Sequence, residues 1–171
     1  MSQTMQVMED DGSFKEKSFS NGVYIGKFRG EIPHGIGKYT WTNGTIYEGD
    51  WVDGKMTGKG VYRFANGDVY IGNWKNDKMD GRGIMNWVNG DVFNGCWSNG
   101  HRHGYGVYRF SNGNVYAGNF KNDKMDGRGI MNWSNGTMYE GDWVDGQMIG
   151  NGLMIPGFLC AFLKTIRPII I

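Results

Sequence analysis

A chain of 171 residues is long enough for one ordinary domain with a core. Its 30 glycines and 3 prolines come with 15% aromatic residues, a mixture that excludes collagen and low-complexity disorder and points to many turns and short strands. With 18 basic against 17 acidic side chains the net charge is +1, which argues against a nucleic-acid binder, whose affinity rests on surplus Lys and Arg.

Residues 1–23 precede the repeats as an N-terminal segment whose first part, Met1 to Lys17, is polar, acidic at Glu9, Asp10 and Asp11 and unlike a secretory leader. Phe19-Ser20-Asn21-Gly22-Val23 resembles the end of a repeat but is one residue short, so side-chain parity leaves Met1 to Phe19 unassigned. The two cysteines, Cys96 and Cys160, form no short pairing motif, and a reducing, cytoplasmic compartment is expected.

From Tyr24 the chain repeats. Tyr24, Tyr47, Tyr70, Phe93, Tyr116 and Tyr139 each begin a copy, 23 residues apart. Position 3 is always Gly, position 5 is Phe or Trp, and positions 12 and 14 are again Gly. Positions 20 and 21 read Asn-Gly in five copies. The spacing of two places Tyr47, Gly49 and Trp51 on one face of a strand, and Gly58, Gly60, Tyr62 and Phe64 on one face of the next. Asp53-Gly54 reads as a two-residue hairpin turn and Ala65-Asn66-Gly67 as a three-residue turn with Gly67 left-handed. An odd period needs one odd loop if the rings are to stay on one face. That register sets Tyr47 opposite Gly60 and Trp74 opposite Gly58. The expected fold is therefore all-β: an elongated, twisted antiparallel sheet of six stacked hairpins over residues 24–152, each copy touching its neighbours.

Residues 153–171 break the pattern. They are apolar but interrupted by Pro156, Lys164, Arg167 and Pro168, too short a run for a spanning helix. They read as a segment foreign to the repeats.

Chemical motifs are few. Gly49-Asp50-Trp51-Val52-Asp53-Gly54-Lys55 has phosphate-loop spacing up to its lysine, but Met56 stands where Ser or Thr must hold magnesium, and the context is two strands. His101 and His103 alternate near Cys96 without a fourth metal ligand. Asp53, Asp77, Asp123 and Asp145 fall in turns, where carboxylates satisfy backbone donors. No catalytic set, metal site or cofactor is expected. Lys59, Arg82 and Arg128 share position 13, and Arg63 and Arg109 share position 17. Both positions point away from the rings, and a ladder of cations along that face would suit anionic lipid head groups. A solvated face is the plain alternative, because Asp and Glu nearly cancel the charge.

The run Tyr47-Glu48-Gly49-Asp50-Trp51-Val52-Asp53-Gly54-Lys55-Met56-Thr57-Gly58-Lys59-Gly60 resembles the MORN repeat (membrane occupation and recognition nexus), and the resemblance spans about Tyr24 to Gly152. Ile32-Pro33-His34-Gly35 with Gly37-Lys38-Tyr39-Thr40-Trp41 is similar to the N-terminal MORN region of plant phosphatidylinositol-4-phosphate 5-kinases. So is Asn89-Gly90-Asp91-Val92-Phe93 leading to Arg102-His103-Gly104-Tyr105-Gly106-Val107-Tyr108-Arg109-Phe110. The resemblance implies a non-catalytic module for membrane association or regulation, peripheral at the plasma membrane, with anionic phospholipid as partner. The competing expectation is a protein-binding scaffold or dimerisation rod.

Overall fold

A computed structural model describes residues 13–157, and every element among them is a β-strand. The chain divides into two compact units, one ending at Met79 and one beginning at Asp80. The first holds β1 (Lys15–Phe19), β2 (Gly22–Arg29), β3 (Ile32–Trp41), β4 (Ile46–Val52), β5 (Lys55–Arg63) and β6 (Val69–Lys75). The boundary cuts β7 (Lys78–Asn86). The second unit continues with β8 (Val92–Ser98), β9 (His101–Arg109), β10 (Val115–Lys121), β11 (Lys124–Asn132), β12 (Met138–Val144) and β13 (Gln147–Ile155). Within each unit every strand pairs antiparallel with its chain neighbour. This is the stacked-hairpin, all-β architecture expected from the period.

Both turn types form as the residues demand. Asp53 and Gly54 have φ of 52° and 76°, the doubly left-handed pair that matches strand twist in a two-residue hairpin. Asn76-Asp77, Asn99-Gly100, Asn122-Asp123 and Asp145-Gly146 repeat it. In the three-residue turn Phe64 N–H donates to Asp68 O at 2.9 Å, Gly67 N–H donates to Phe64 O at 3.0 Å, and Gly67 has φ of 96°.

The register inside the hairpins differs from the one expected. Tyr47 pairs with Tyr62 and Gly49 with Gly60, whereas Asp50 pairs with Thr57 and Trp51 with Met56. A bulge at Gly58-Lys59 accounts for the shift. Skipping two residues keeps the faces in phase, so parity survives although the pairing moves. The same irregularity recurs in β2/β3, β8/β9, β10/β11 and β12/β13. Its cause is the position-12 glycine, left-handed in all six copies, from Gly35 at 77° to Gly150 at 69°. Gly58 does pair with Trp74, but a Cβ there would strike the Asp50 side chain rather than a ring. That Asp50 carboxylate accepts the Lys59 N–H at 2.8 Å, a donor the bulge takes out of the β4/β5 ladder.

Ring-over-glycine packing holds at position 14, as expected for Tyr47 over Gly60, and extends to position 3 rather than 12. Tyr47 is 0% exposed, and its ring lies diagonally across Gly60 with its hydroxyl over Gly49. The hydroxyl donates to carbonyls beside the bulge, Asp50 O at 3.2 Å and Thr57 O at 3.1 Å. Tyr24, Tyr116 and Tyr139 sit the same way over Gly37, Gly129 and Gly152, as does Phe93 over Gly106. Burial pushes the Tyr24 and Tyr116 hydroxyls up to about 12. Copies join edge-to-face: Tyr24 meets Trp51 at 5.3 Å, Tyr47 meets Trp74 at 5.3 Å and Tyr116 meets Trp143 at 5.2 Å. The Trp51 indole N–H also donates to Gly37 O at 3.1 Å, one copy back. Turns dock backwards too: the Asp77 carboxylate accepts Met56 N–H at 2.8 Å, as Asp123 accepts Arg102 N–H at 2.9 Å.

Both ends of the repeat pattern carry more strand than expected. Lys15–Phe19 pairs with β2 through a two-residue turn, Ser20-Asn21. The missing residue is lost from the turn, so Phe19 and Tyr24 share a face and the parity conflict disappears. At the other end β13 keeps its ladder to Ile155, pairing Tyr139 with Met154 and Met138 with Ile155. The expectations for residues 158–171, Cys160 among them, lie outside the described residues.

Candidate anionic-lipid face

Alternation along each strand turns positions 2, 13, 15 and 17 to the face opposite the rings. All five candidate cations lie there and are exposed. In the first unit Lys59 and Arg63 stand on β5, four residues and so about 13 Å apart. Lys59 pairs with Asn73, and Arg63 lies between Ile46 and Val69. In the second unit Arg82 on β7 pairs with Cys96, Arg109 on β9 lies between Val92 and Val115, and Arg128 on β11 pairs with Asp142.

The cations are sparser than a continuous ladder. Position 13 in the second unit reads Arg82, Tyr105, Arg128, Asn151, so its two arginines lie four strands, roughly 19 Å, apart rather than one copy apart. Among the described residues Lys59, Arg63, Arg82 and Arg109 have no carboxylate within 4.0 Å, whereas Arg128 lies 3.6 Å from Glu140. By contrast Arg29 pairs with Asp53, and Lys38 with Glu48 at 3.5 Å.

Two features of this face were not singled out in the sequence. Ile84, Val107, Ala117 and Ile130 form an apolar row across the second unit, linked through Ile84–Asn94–Val107 and Val107–Ala117–Ile130 pairings. The arginines at positions 13 and 17 flank that row. Tyr105, 59% exposed, stands beside a depression of about 230 Å³ lined by Arg82, Asn94, Gly95, Cys96 and Val107. The signal was present as parity, since position 15 is apolar in five copies, but attention to charge alone passed over it.

On the ring side Arg102 occupies a slot held elsewhere by Pro33, Met56, Met79, Met125 and Met148. Its guanidinium lies 5.2 Å from the Tyr108 ring centre and 5.5 Å from that of Phe120. It donates to Asp123 Oδ1 at 3.2 Å and to Asp123 O at 2.7 Å, and His101 Nδ1 lies 2.6 Å from Asp123 Oδ2. Burial alone would raise the Asp123 carboxyl. The Arg102 amide, the His101 ring and the Arg102 guanidinium outweigh it and hold the pKa below the usual carboxylate value. Among the described residues no three His, Cys, Asp or Glu side chains gather closely enough to hold a metal ion, and no helix is long and apolar enough to cross a membrane.

A 47-residue stretch of this chain is 49% identical to phosphatidylinositol 4-phosphate 5-kinase 1 of Oryza sativa subsp. japonica, covering 27% of this chain and 6% of that protein. The chain thus spans a small fraction of that relative's length. A solved structure of the SAS-4 (dCPAP) TCP domain in complex with a proline rich motif of Ana2 (dSTIL) of Drosophila melanogaster is 13% identical, covering 84% of this chain and 89% of that one at a TM-score of 0.44. The family model described as MORN repeat matches residues 24–46, 47–69, 70–92, 93–115, 116–138 and 139–155. These matches run in register with the hairpins, and the region they cover is a repeat module. The chain belongs to the MORN repeat family.

Proposed function

We propose that this MORN module associates peripherally with anionic phospholipid and thereby places or regulates the polypeptide that carries it. The observation that carries the proposal is the face opposite the rings in the second unit, where Arg82, Arg109 and Arg128 border an aliphatic row. Apolar surface edged by cations is what interfacial binding uses. Each cation near an anionic surface contributes about 1 kcal/mol, so three contribute only weak, salt-sensitive attraction that needs the apolar row or several copies to become stable. The kinase relative is named for an anionic lipid, which agrees with that chemistry. The test is sedimentation with vesicles of phosphatidylcholine alone or with added phosphatidic acid or phosphatidylinositol 4-phosphate. Pelleting with the anionic vesicles at low salt is expected, and its loss in the Arg82→Gln/Arg109→Gln/Arg128→Gln variant. No lipid-dependent pelleting would remove the proposal.

A protein-docking role has its own support. On the ring side of the first unit a groove of about 370 Å³ is lined by Phe19, Tyr39, Trp41, Trp51 and Met56 among others. Partner capture abolished by Trp41→Ala, with no response to vesicles, would favour it.

A further inference from the structure

We infer that Asn99 is a site of spontaneous succinimide formation in the folded protein, singled out from eight other Asn-Gly pairs by the turn that holds it. The reaction needs only water. The Gly100 amide nitrogen gives up its proton and attacks Asn99 Cγ, the Cγ–Nδ2 bond breaks, and ammonia leaves. Water then opens the cyclic imide to an aspartyl or isoaspartyl residue. The side chain must therefore swing freely toward the following nitrogen.

Eight pairs are held against this. Asn43, Asn66, Asn89, Asn112 and Asn135 lie in the three-residue turns, where each Oδ1 accepts the N–H two residues on at 2.9 to 3.1 Å. The attacking nitrogen is engaged as well: the Gly44, Gly67, Gly90, Gly113 and Gly136 N–H groups donate to carbonyls three residues back at 2.9 to 3.0 Å. Asn21, Asn94 and Asn151 precede Gly22, Gly95 and Gly152, each packed under the ring of Tyr39, Phe93 or Tyr139, so rotation there drives backbone into a ring.

Asn99 is different. It sits in a two-residue turn, exposed, and its backbone N–H donates to Asp80 Oδ2 at 3.1 Å. Its side chain, however, is held only through Nδ2, 3.5 Å from Ser98 Oγ, and among the described residues nothing donates to its Oδ1. Gly100 has nothing within 4 Å of where a Cβ would be, so the turn has room to rearrange. The other turns of this type carry Asp53-Gly54, Asn76-Asp77, Asn122-Asp123 and Asp145-Gly146, and none repeats the Asn-Gly pair. The aspartyl product fits the slot, because Asp53 and Asp145 hold it with φ of 52° and 51° against 52° for Asn99.

The test ages the full chain at mildly alkaline pH and follows each Asn-Gly peptide by mass spectrometry, in buffer and in concentrated urea. Breaking one hydrogen bond of about 1 kcal/mol at each partner slows a pinned site roughly tenfold or more. Folded protein should therefore convert at Asn99 at least about ten times faster than at the five three-residue turns, with the rates converging in urea. An S-adenosylmethionine-dependent isoaspartyl methyltransferase should label folded, aged protein at the Asn99 peptide. Equal rates in the folded chain, a faster site elsewhere, or a difference that persists in urea would overturn the inference.

Discussion

Replacing Gly60 with alanine tests the packing on which each hairpin rests. A Cβ at Gly60 would lie under 3.0 Å from three atoms of Tyr47 and from no backbone atom as close. The ring has nowhere to go: it is 0% exposed, with Trp51 at 5.2 Å and Trp74 at 5.3 Å, and its hydroxyl is tied to Asp50 O and Thr57 O. Overpacking costs about 1–3 kcal/mol, and losing the one hydroxyl hydrogen bond that the two carbonyls share adds about 0.5–1.5 kcal/mol, so Gly60→Ala should destabilise by roughly 2–4 kcal/mol. Without the ring the sign should change, because alanine loses less backbone entropy than glycine in a strand, by about 0.5–1 kcal/mol. Urea unfolding followed by tryptophan fluorescence on wild type, Gly60→Ala, Tyr47→Ala and the double variant gives the coupling directly. Gly49→Ala is the control. Its Cβ would meet Lys59 O at 2.5 Å and Gly60 Cα at 2.6 Å, backbone that Tyr47→Ala cannot remove. If the Gly60→Ala and Tyr47→Ala costs add within about 0.5 kcal/mol, or if Tyr47→Ala rescues Gly49→Ala equally, the ring is not what demands the glycine.

Two further outcomes follow from individual side chains. Trp51→Phe breaks the indole bond to Gly37 O and should cost about 0.5–1.5 kcal/mol more than Trp74→Phe, measured as the difference in urea midpoints, because Trp74 Nε1 is buried with no hydrogen-bond partner among the described residues. Phe28 and Phe120 already fill the same slot in other copies. Asp123→Asn keeps an oxygen for the Arg102 amide but removes the charge. The Asp123 pKa is lowered in the folded state, so its contribution is present above the ordinary carboxylate value and lost as pH falls through the depressed one. Wild type should exceed the variant by at most about 1 kcal/mol at neutral pH, the carboxylate being 41% exposed and screened. The gap in thermal midpoint should close at acid pH, and a gap that widens there would show the sign to be wrong.

Much of the fold could be read from residues alone because its determinants are local. A turn needing two left-handed residues calls for Asp-Gly or Asn-Gly, and a spacing of two assigns faces without knowledge of any partner. The odd period then required the three-residue turn that the structure has. The basic positions were likewise legible as exposed and opposite the rings. What could not be read was which glycine does which task. Gly58 and Gly60 are the same letter, yet one is left-handed in a bulge and the other is flat beneath a ring. Only the pairing of β4 with β5 separates them. Arg102 was visible as a charge in a methionine slot, but its partner Asp123 lies 21 residues on and reaches it only when turns dock copy on copy.

By itself the sequence determined the period, the turns, the ring-bearing face and membership among MORN arrays, since each depends on contacts within one hairpin length. Tertiary structure decided the bulged register, the extra strand β1, the apolar row between the arginines, and which exposed Asn-Gly side chain lacks the hydrogen bond that holds its counterparts in the three-residue turns. Those depend on hydrogen bonds and ring contacts between strands, whose geometry no single strand's residues contain.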